Sequence, residues 1–122
     1  MELYINIYMN YVSTRNKNFK CTSAEAIRDG LSVDGGLFVP EVIPSLSKSD
    51  FDSLIEKTYE ERVAFVLSKF LEDYTYEELL GYAKAAYSRF YGDDPCPLVN
   101  VADDLYVLEL WHGPTCAFKD MA

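Results

Sequence analysis

The sequence predicts an α+β domain, with helices packed on a small sheet of short strands. Two observations carry this. Three capping boxes, Thr22-Ser23-Ala24-Glu25, Thr58-Tyr59-Glu60-Glu61 and Thr75-Tyr76-Glu77-Glu78, each mark a helix start. In such a box the threonine hydroxyl takes a backbone N–H three residues on, and the glutamate reaches back to the threonine N–H. Two stretches near the chain ends, residues 8–13 and 105–110, are instead rich in Tyr, Val and Leu, which suits strands.

The elements follow in order. Partial alternation over residues 4–14 places a strand best at 8–13, before the polar loop Ser13-Thr14-Arg15-Asn16. The first capping box opens a short helix, Ser23–Asp29, that stops at Gly30, since glycine readily takes the left-handed turn that ends a helix. Residues 31–44 contain Gly35, Gly36, Pro40 and Pro44 and predict an ordered turn-rich loop. Asp34-Gly35-Gly36 is its sharp bend, and Leu37, Phe38 and Val39 are expected to pack inward. A short helix is expected over residues 49–55. The second box opens a helix over 59–71, with Val63, Val66, Leu67 and Phe70 at helical spacing. The third opens a helix over 76–90, whose apolar face is Leu79, Leu80, Ala83, Ala86, Tyr87 and Phe90. Glu60, Glu61, Glu77 and Glu78 lie in first turns, where they complement the helix dipole, and are not read as paired catalytic carboxylates. Residues 96–101 read as a crossing segment. Asp103-Asp104 precedes the last strand, an apolar run expected to be buried.

Composition narrows the function. Ten Tyr, seven Phe and 49% apolar residues describe a folded chain. A net charge of −9 opposes sequence-independent nucleic-acid binding and docking on anionic membranes. No apolar run approaches the ~20 residues of a membrane span, and the first residues lack the marks of a signal peptide. Cys21, Cys96 and Cys116 show no C-x-x-C spacing and there is a single histidine, so no metal site is expected. The cysteines are read as reduced thiols of a cytoplasmic protein, with Cys116 a small buried apolar residue.

Four kinds of chemistry can be weighed. Asp34-Gly35-Gly36 is too short for a phosphate cradle, with no Walker lysine and no G-x-G-x-x-G. No serine sits in G-x-S-x-G, and His112 alone is a poor basis for a Ser-His-Asp site; it reads as a hydrogen-bonding partner on a turn. Lys119 remains. It follows a strand and the turn Gly113-Pro114, with Ala117 and Phe118 placed to desolvate its amine and Asp120 placed to cap a following helix. Burial favours a neutral amine, which can condense with an aldehyde.

His112-Gly113-Pro114-Thr115-Cys116-Ala117-Phe118-Lys119-Asp120 resembles the H-G-P-T-x-A-F-K-D signature of the threonine synthase family. Tyr11-Val12-Ser13-Thr14-Arg15 resembles its Y-x-S-T-R opening. Residues 30–40, Gly30-Leu31-Ser32-Val33-Asp34-Gly35-Gly36-Leu37-Phe38-Val39-Pro40, resemble its G-L-x-x-D-G-G-L-F-V-P loop. The three stand in the family's order and cover residues 11–122. The resemblance implies the N-terminal domain of a fold-type II pyridoxal-phosphate enzyme over residues 11–95 and the start of the catalytic domain over 96–122. Residues 1–10 are then an N-terminal extension, or the start codon lies upstream of a native start at Met9.

It further implies a pyridoxal-phosphate-dependent lyase that converts O-phospho-L-homoserine and water to L-threonine and phosphate. Lys119 would be both the catalytic and the cofactor-holding lysine, and His112 and Thr115 would lie on the site loop. The family's phosphate-holding loop and its partner for the pyridine nitrogen lie further on. The segment is therefore expected to be inactive and to lack pyridoxal phosphate, and an unpaired edge of the last strand to invite self-association. Two other readings stand beside this one: a related phospholyase that releases a keto acid, and a non-catalytic interaction module, which would have no need to keep Lys119.

Overall fold

The computed structural model describes residues 8–121. The alternation over residues 4–7 and most of the expected N-terminal extension lie outside the described residues. Strand β1, Tyr11–Ser13, is the centre of a three-stranded antiparallel sheet, with β2, Lys20–Cys21, on one side and β3, Phe38–Pro40, on the other. Val12 stands opposite Lys20 and Val39 and is buried. The expected strand over 8–13 is thus shorter than its pattern, and β2 and β3 carried no pattern at all. Strands of two or three residues are below the length at which a two-residue alternation can be read.

All three capping boxes form, and Ser47 with Asp50 makes a fourth. They start α1, Ser23–Asp29; α2, Lys48–Leu54; α3, Tyr59–Ser68; and α4, Tyr76–Tyr87. Helix α1 ends where Gly30 turns to a φ of 70°. Helices α3 and α4 each stop about three residues before the expected end, but they pack on each other as their apolar spacing requires, burying Ala64, Leu79 and Ala83. Val66 and Ala86 of the expected faces are exposed, at the rims of the stripes. Tyr59 and Tyr87 meet edge to face with ring centroids 4.8 Å apart, joining the start of α3 to the end of α4. Replacing Thr75, the N-cap of α4, with alanine is expected to cost about 1 kcal/mol, a fall in thermal midpoint on the order of 4 °C. An unchanged midpoint by circular dichroism would rule out that cap as a contributor.

The link between α3 and α4 ties the helices to the sheet. Tyr11 Oη donates to the carbonyl of Phe70 at 3.2 Å. Asp73 accepts from Ser23 Oγ and, at 2.8 Å, from the N–H of Ala24, and so holds the start of α1. Burial pushes the Asp73 carboxyl up, but these hydrogen bonds outweigh it and the net shift is downward.

Asp34, Glu41, Asp50, Glu61, Glu78 and Asp120 are also lowered, in each case first by a hydrogen bond to the ionised carboxylate. A group whose folded pKa lies below its unfolded value binds fewer protons when folded, so stability rises with pH across that interval. The contribution is complete above the unfolded values of about 4 and is lost as pH falls through the folded ones. Thermal midpoints measured by circular dichroism from pH 7 to pH 3 should be level at first and then drop below about pH 4. A midpoint unchanged down to pH 3 would overturn this.

The last part of the chain departs from expectation. Residues 96–101 are expected to be a crossing segment, yet β4, Leu98–Ala102, and β5, Leu105–Leu108, form an antiparallel hairpin. Asp104 closes its turn with a φ of 55°, a conformation that aspartate tolerates better than most residues, and the register shifts between Asn100 and Ala102. The run expected to be buried is exposed along Leu105, Tyr106 and Leu108. The two-stranded sheet is separate from the first, and all its residues but Val107 are exposed.

Candidate functional site

Two constellations hold the residues singled out from the sequence. The first joins the Ser-Thr-Arg segment to the Asp-Gly-Gly bend. Ser13, fully buried, donates from Oγ to both Asp34 oxygens at 2.8 and 2.9 Å, and Asp34 Oδ1 also accepts from the N–H of Gly36 at 2.9 Å. Arg15 donates from its own N–H to Ser13 Oγ at 3.1 Å and from Nη1 to the Asp34 carbonyl at 3.0 Å. The hydroxyl of Thr14 accepts from the N–H of Leu37 at 3.0 Å. Gly36 and Ser13 cause the low Asp34 carboxyl, which stays ionised as the hub. Of the three apolar residues after the bend, Leu37 and Val39 are exposed, and only Phe38 turns inward, its ring centroid 6.0 Å from that of Phe19. Phe38 and Val39 are neighbours in β3 and so face opposite sides of the sheet.

The second constellation is the loop after β5. His112 Nε2 lies 2.6 Å from Glu109 Oε2, and its ring stacks on Trp111 at 6.0 Å between centroids. The carbonyl of His112 accepts from the N–H of Tyr91 at 2.8 Å, which ties the loop to the end of α4. His112 is thus the hydrogen-bonding residue its sequence context implied, and Nδ1 takes no hydrogen bond among the described residues.

Past Gly113 the chain folds into a tight ring. Asp120 accepts from the N–H of Thr115 at 2.7 Å and from Thr115 Oγ1 at 2.6 Å. Gly113 is buried against Asp120, and a Cβ there would strike the carboxylate. Cys116 crosses the ring with a φ of 54° and is exposed, not the buried apolar residue expected.

Lys119 lies on the 3-10 turn Phe118–Met121, whose last carbonyl accepts from Tyr87 Oη at 3.2 Å. Lys119 is exposed and makes no ion pair among the described residues. Phe118 is 66% exposed, so the desolvating wall expected beside the amine is not formed by these residues. Asp120 faces back to Thr115. Sequence reading missed that clamp because a five-residue separation has no capping-box spacing. No hydrogen bond or ion pair among the described residues joins the Asp34 hub to the Lys119 loop. Among the described residues, no group of three or more His, Cys, Asp or Glu could hold a metal, and no helix is long and apolar enough to cross a membrane.

An α+β domain that leads through a hairpin into a lysine-bearing turn is the class of structure in hand. The family model described as "Threonine synthase N terminus" matches residues 10–87, and the chain belongs to that family, as an N-terminal portion of threonine synthase. It is 36% identical to threonine synthase of Schizosaccharomyces pombe over 116 residues, covering 93% of this chain and 23% of that protein. With threonine synthase of Saccharomyces cerevisiae the identity is 40% over 120 residues, covering 92% and 23%. The crystal structure of pyridoxal-phosphate-bound threonine synthase from Brucella melitensis superposes with a TM-score of 0.85 at 37% identity, covering 92% of this chain and 24% of that one. The chain spans about a quarter of the length of these relatives.

Proposed function

We propose that the protein carrying this chain is a pyridoxal-phosphate-dependent carbon–oxygen lyase. It converts O-phospho-L-homoserine and water to L-threonine and phosphate in the cytoplasm, and Lys119 holds its cofactor. One observation carries the reading: an exposed primary amine without an ion pair among the described residues, on a turn pinned by Asp120 and Tyr87, inside the His112–Asp120 motif. That amine suits the aldehyde end of the cofactor. No Gly-rich phosphate cradle occurs in these 122 residues, so they do not supply a grip on the cofactor phosphate. The Brucella melitensis relative is described as pyridoxal-phosphate bound, which supports the choice of cofactor.

When bound, the cofactor supplies an electron sink for the substrate carbons. The chain's own part is to place groups. Lys119 would hold the aldehyde carbon through Nζ, yield it to the substrate amine, and then carry protons at Nζ. Thr115 and His112 would border the site, His112 offering Nδ1 while Glu109 occupies Nε2. Residues 11–95 would form the N-terminal domain and 96–122 the start of the catalytic domain, a division supported by the separate sheet of β4 and β5. The 122-residue segment by itself would be inactive and hold the cofactor weakly.

The test is to supply the intact gene product with O-phospho-L-homoserine and pyridoxal phosphate. Equal amounts of threonine and phosphate are expected, whereas phosphate accompanied by 2-oxobutyrate would overturn the reading in favour of a phospholyase. The segment alone is proposed to self-associate through the open side of β5. Light scattering after size exclusion would show a dimer or larger species, and a clean monomer at high concentration would refute this.

A further inference from the structure

The ring at residues 113–120 fixes the direction of one hydroxyl in the same loop as Lys119. Hydrogen bonds from the Thr115 side chain and backbone hold the Asp120 carboxyl below the usual carboxylate range, so it is ionised near neutral pH and accepts only. The hydrogen in the 2.6 Å contact between Thr115 Oγ1 and Asp120 Oδ1 therefore belongs to Thr115. A hydroxyl has one hydrogen and two lone pairs. With its hydrogen committed, Thr115 Oγ1 is left as an acceptor alone. The Thr115 side chain is exposed, and Lys119, also exposed, is the residue before Asp120 in the chain.

We propose that Asp120 is a positioning residue. By holding Thr115 Oγ1 as an acceptor, it lets Thr115 take a hydrogen bond from a primary amine in the site, either that of Lys119 or that of the amino-acid substrate. This rests on the reading of Lys119 as the cofactor lysine. Asp120→Asn separates polarity from scaffold. The amide is isosteric and still closes the ring, its oxygen accepting from the Thr115 N–H. Its NH₂ group then donates to Oγ1, so the hydroxyl hydrogen turns outward and faces the amine as a donor.

The experiment measures borohydride trapping of pyridoxal phosphate on Lys119 by peptide mass mapping, the KM for O-phospho-L-homoserine, and the thermal midpoint, all on the intact gene product. Asp120→Asn is expected to keep the midpoint near wild type. It should weaken either trapping or substrate binding about tenfold, the loss of one hydrogen bond to an amine. Thr115→Val should match that defect, Thr115→Ser should restore wild-type behaviour, and the double variant should be no worse than either single one. A defect in trapping without substrate assigns the amine to Lys119, and one confined to KM assigns it to the substrate.

If wild type is trapped on Lys119 and Asp120→Asn equals wild type while Asp120→Ala does not, Asp120 is a scaffold only and the inference fails alone. If wild type is not trapped on Lys119, the reading of that lysine fails and takes the inference with it. The Thr115→Val and Thr115→Ser pair keeps the comparison independent of how well Asp120→Asn folds.

Discussion

Replacing Lys119 with alanine is expected to lower turnover of O-phospho-L-homoserine by about a thousandfold or more and to remove borohydride-trapped cofactor from the protein. The methyl group can neither bond to the aldehyde carbon nor carry a proton. The fold should be untouched, because the side chain is exposed and has no ion pair among the described residues. Lys119→Arg sharpens the comparison. It keeps a positive charge, but a guanidinium does not lose its proton in proteins and is no nucleophile, so it should be as inactive as alanine. Intact-protein mass spectrometry after reduction reads the result directly. Persistent trapping in Lys119→Ala, or activity retained by Lys119→Arg, would move the cofactor to another lysine and end the assignment.

The helices were legible because each start is written locally. Thr22, Thr58 and Thr75 each meet a glutamate three residues on, and Val63, Leu67, Leu79 and Ala83 repeat at the helical period. The sheet was not legible in the same way. Val39 pairs with Val12 across 27 positions of sequence, and a three-residue strand has too few positions to show alternation. The hairpin failed differently. Leu105 to Leu108 has the composition of a covered strand, yet its exposure depends on what packs against it, which composition does not encode.

The site divides along the same line. Lys119, His112 and Thr115 could be named from the motif. The bonds that organise them could not, since Asp120 to Thr115 and Asp34 to Ser13 follow no regular spacing. The expectation of a desolvated lysine assumed that neighbours in sequence become walls in space. Phe118 points to solvent instead, so the environment of the amine must be judged from the fold.

The same substitution, glycine to alanine, is expected to have opposite signs at two positions. At Gly36 a Cβ would be driven into Ser13 Oγ and would sit 3.1 Å from the N–H nitrogen of Arg15. Neither neighbour can yield. Ser13 is fully buried and bonded to both oxygens of Asp34, and the backbone of Arg15 follows the central strand. Gly36 must also keep its N–H on Asp34 Oδ1. Overpacking of this kind costs about 2–3 kcal/mol, which lowers the thermal midpoint by roughly 10 °C in a chain of this size. Gly81 lies inside α4, where an added Cβ meets nothing within 4 Å. Alanine there removes backbone freedom from the unfolded chain and should stabilise by about 0.5–1 kcal/mol. Paired melts followed by circular dichroism decide between two accounts. If both variants rise, the glycines act only through chain entropy, and the Ser13–Asp34–Gly36 contact is not what holds the sheet to its loop. If Gly36→Ala falls while Gly81→Ala rises, close approach at the Asp-Gly-Gly bend is the reason that alanine cannot replace the second glycine.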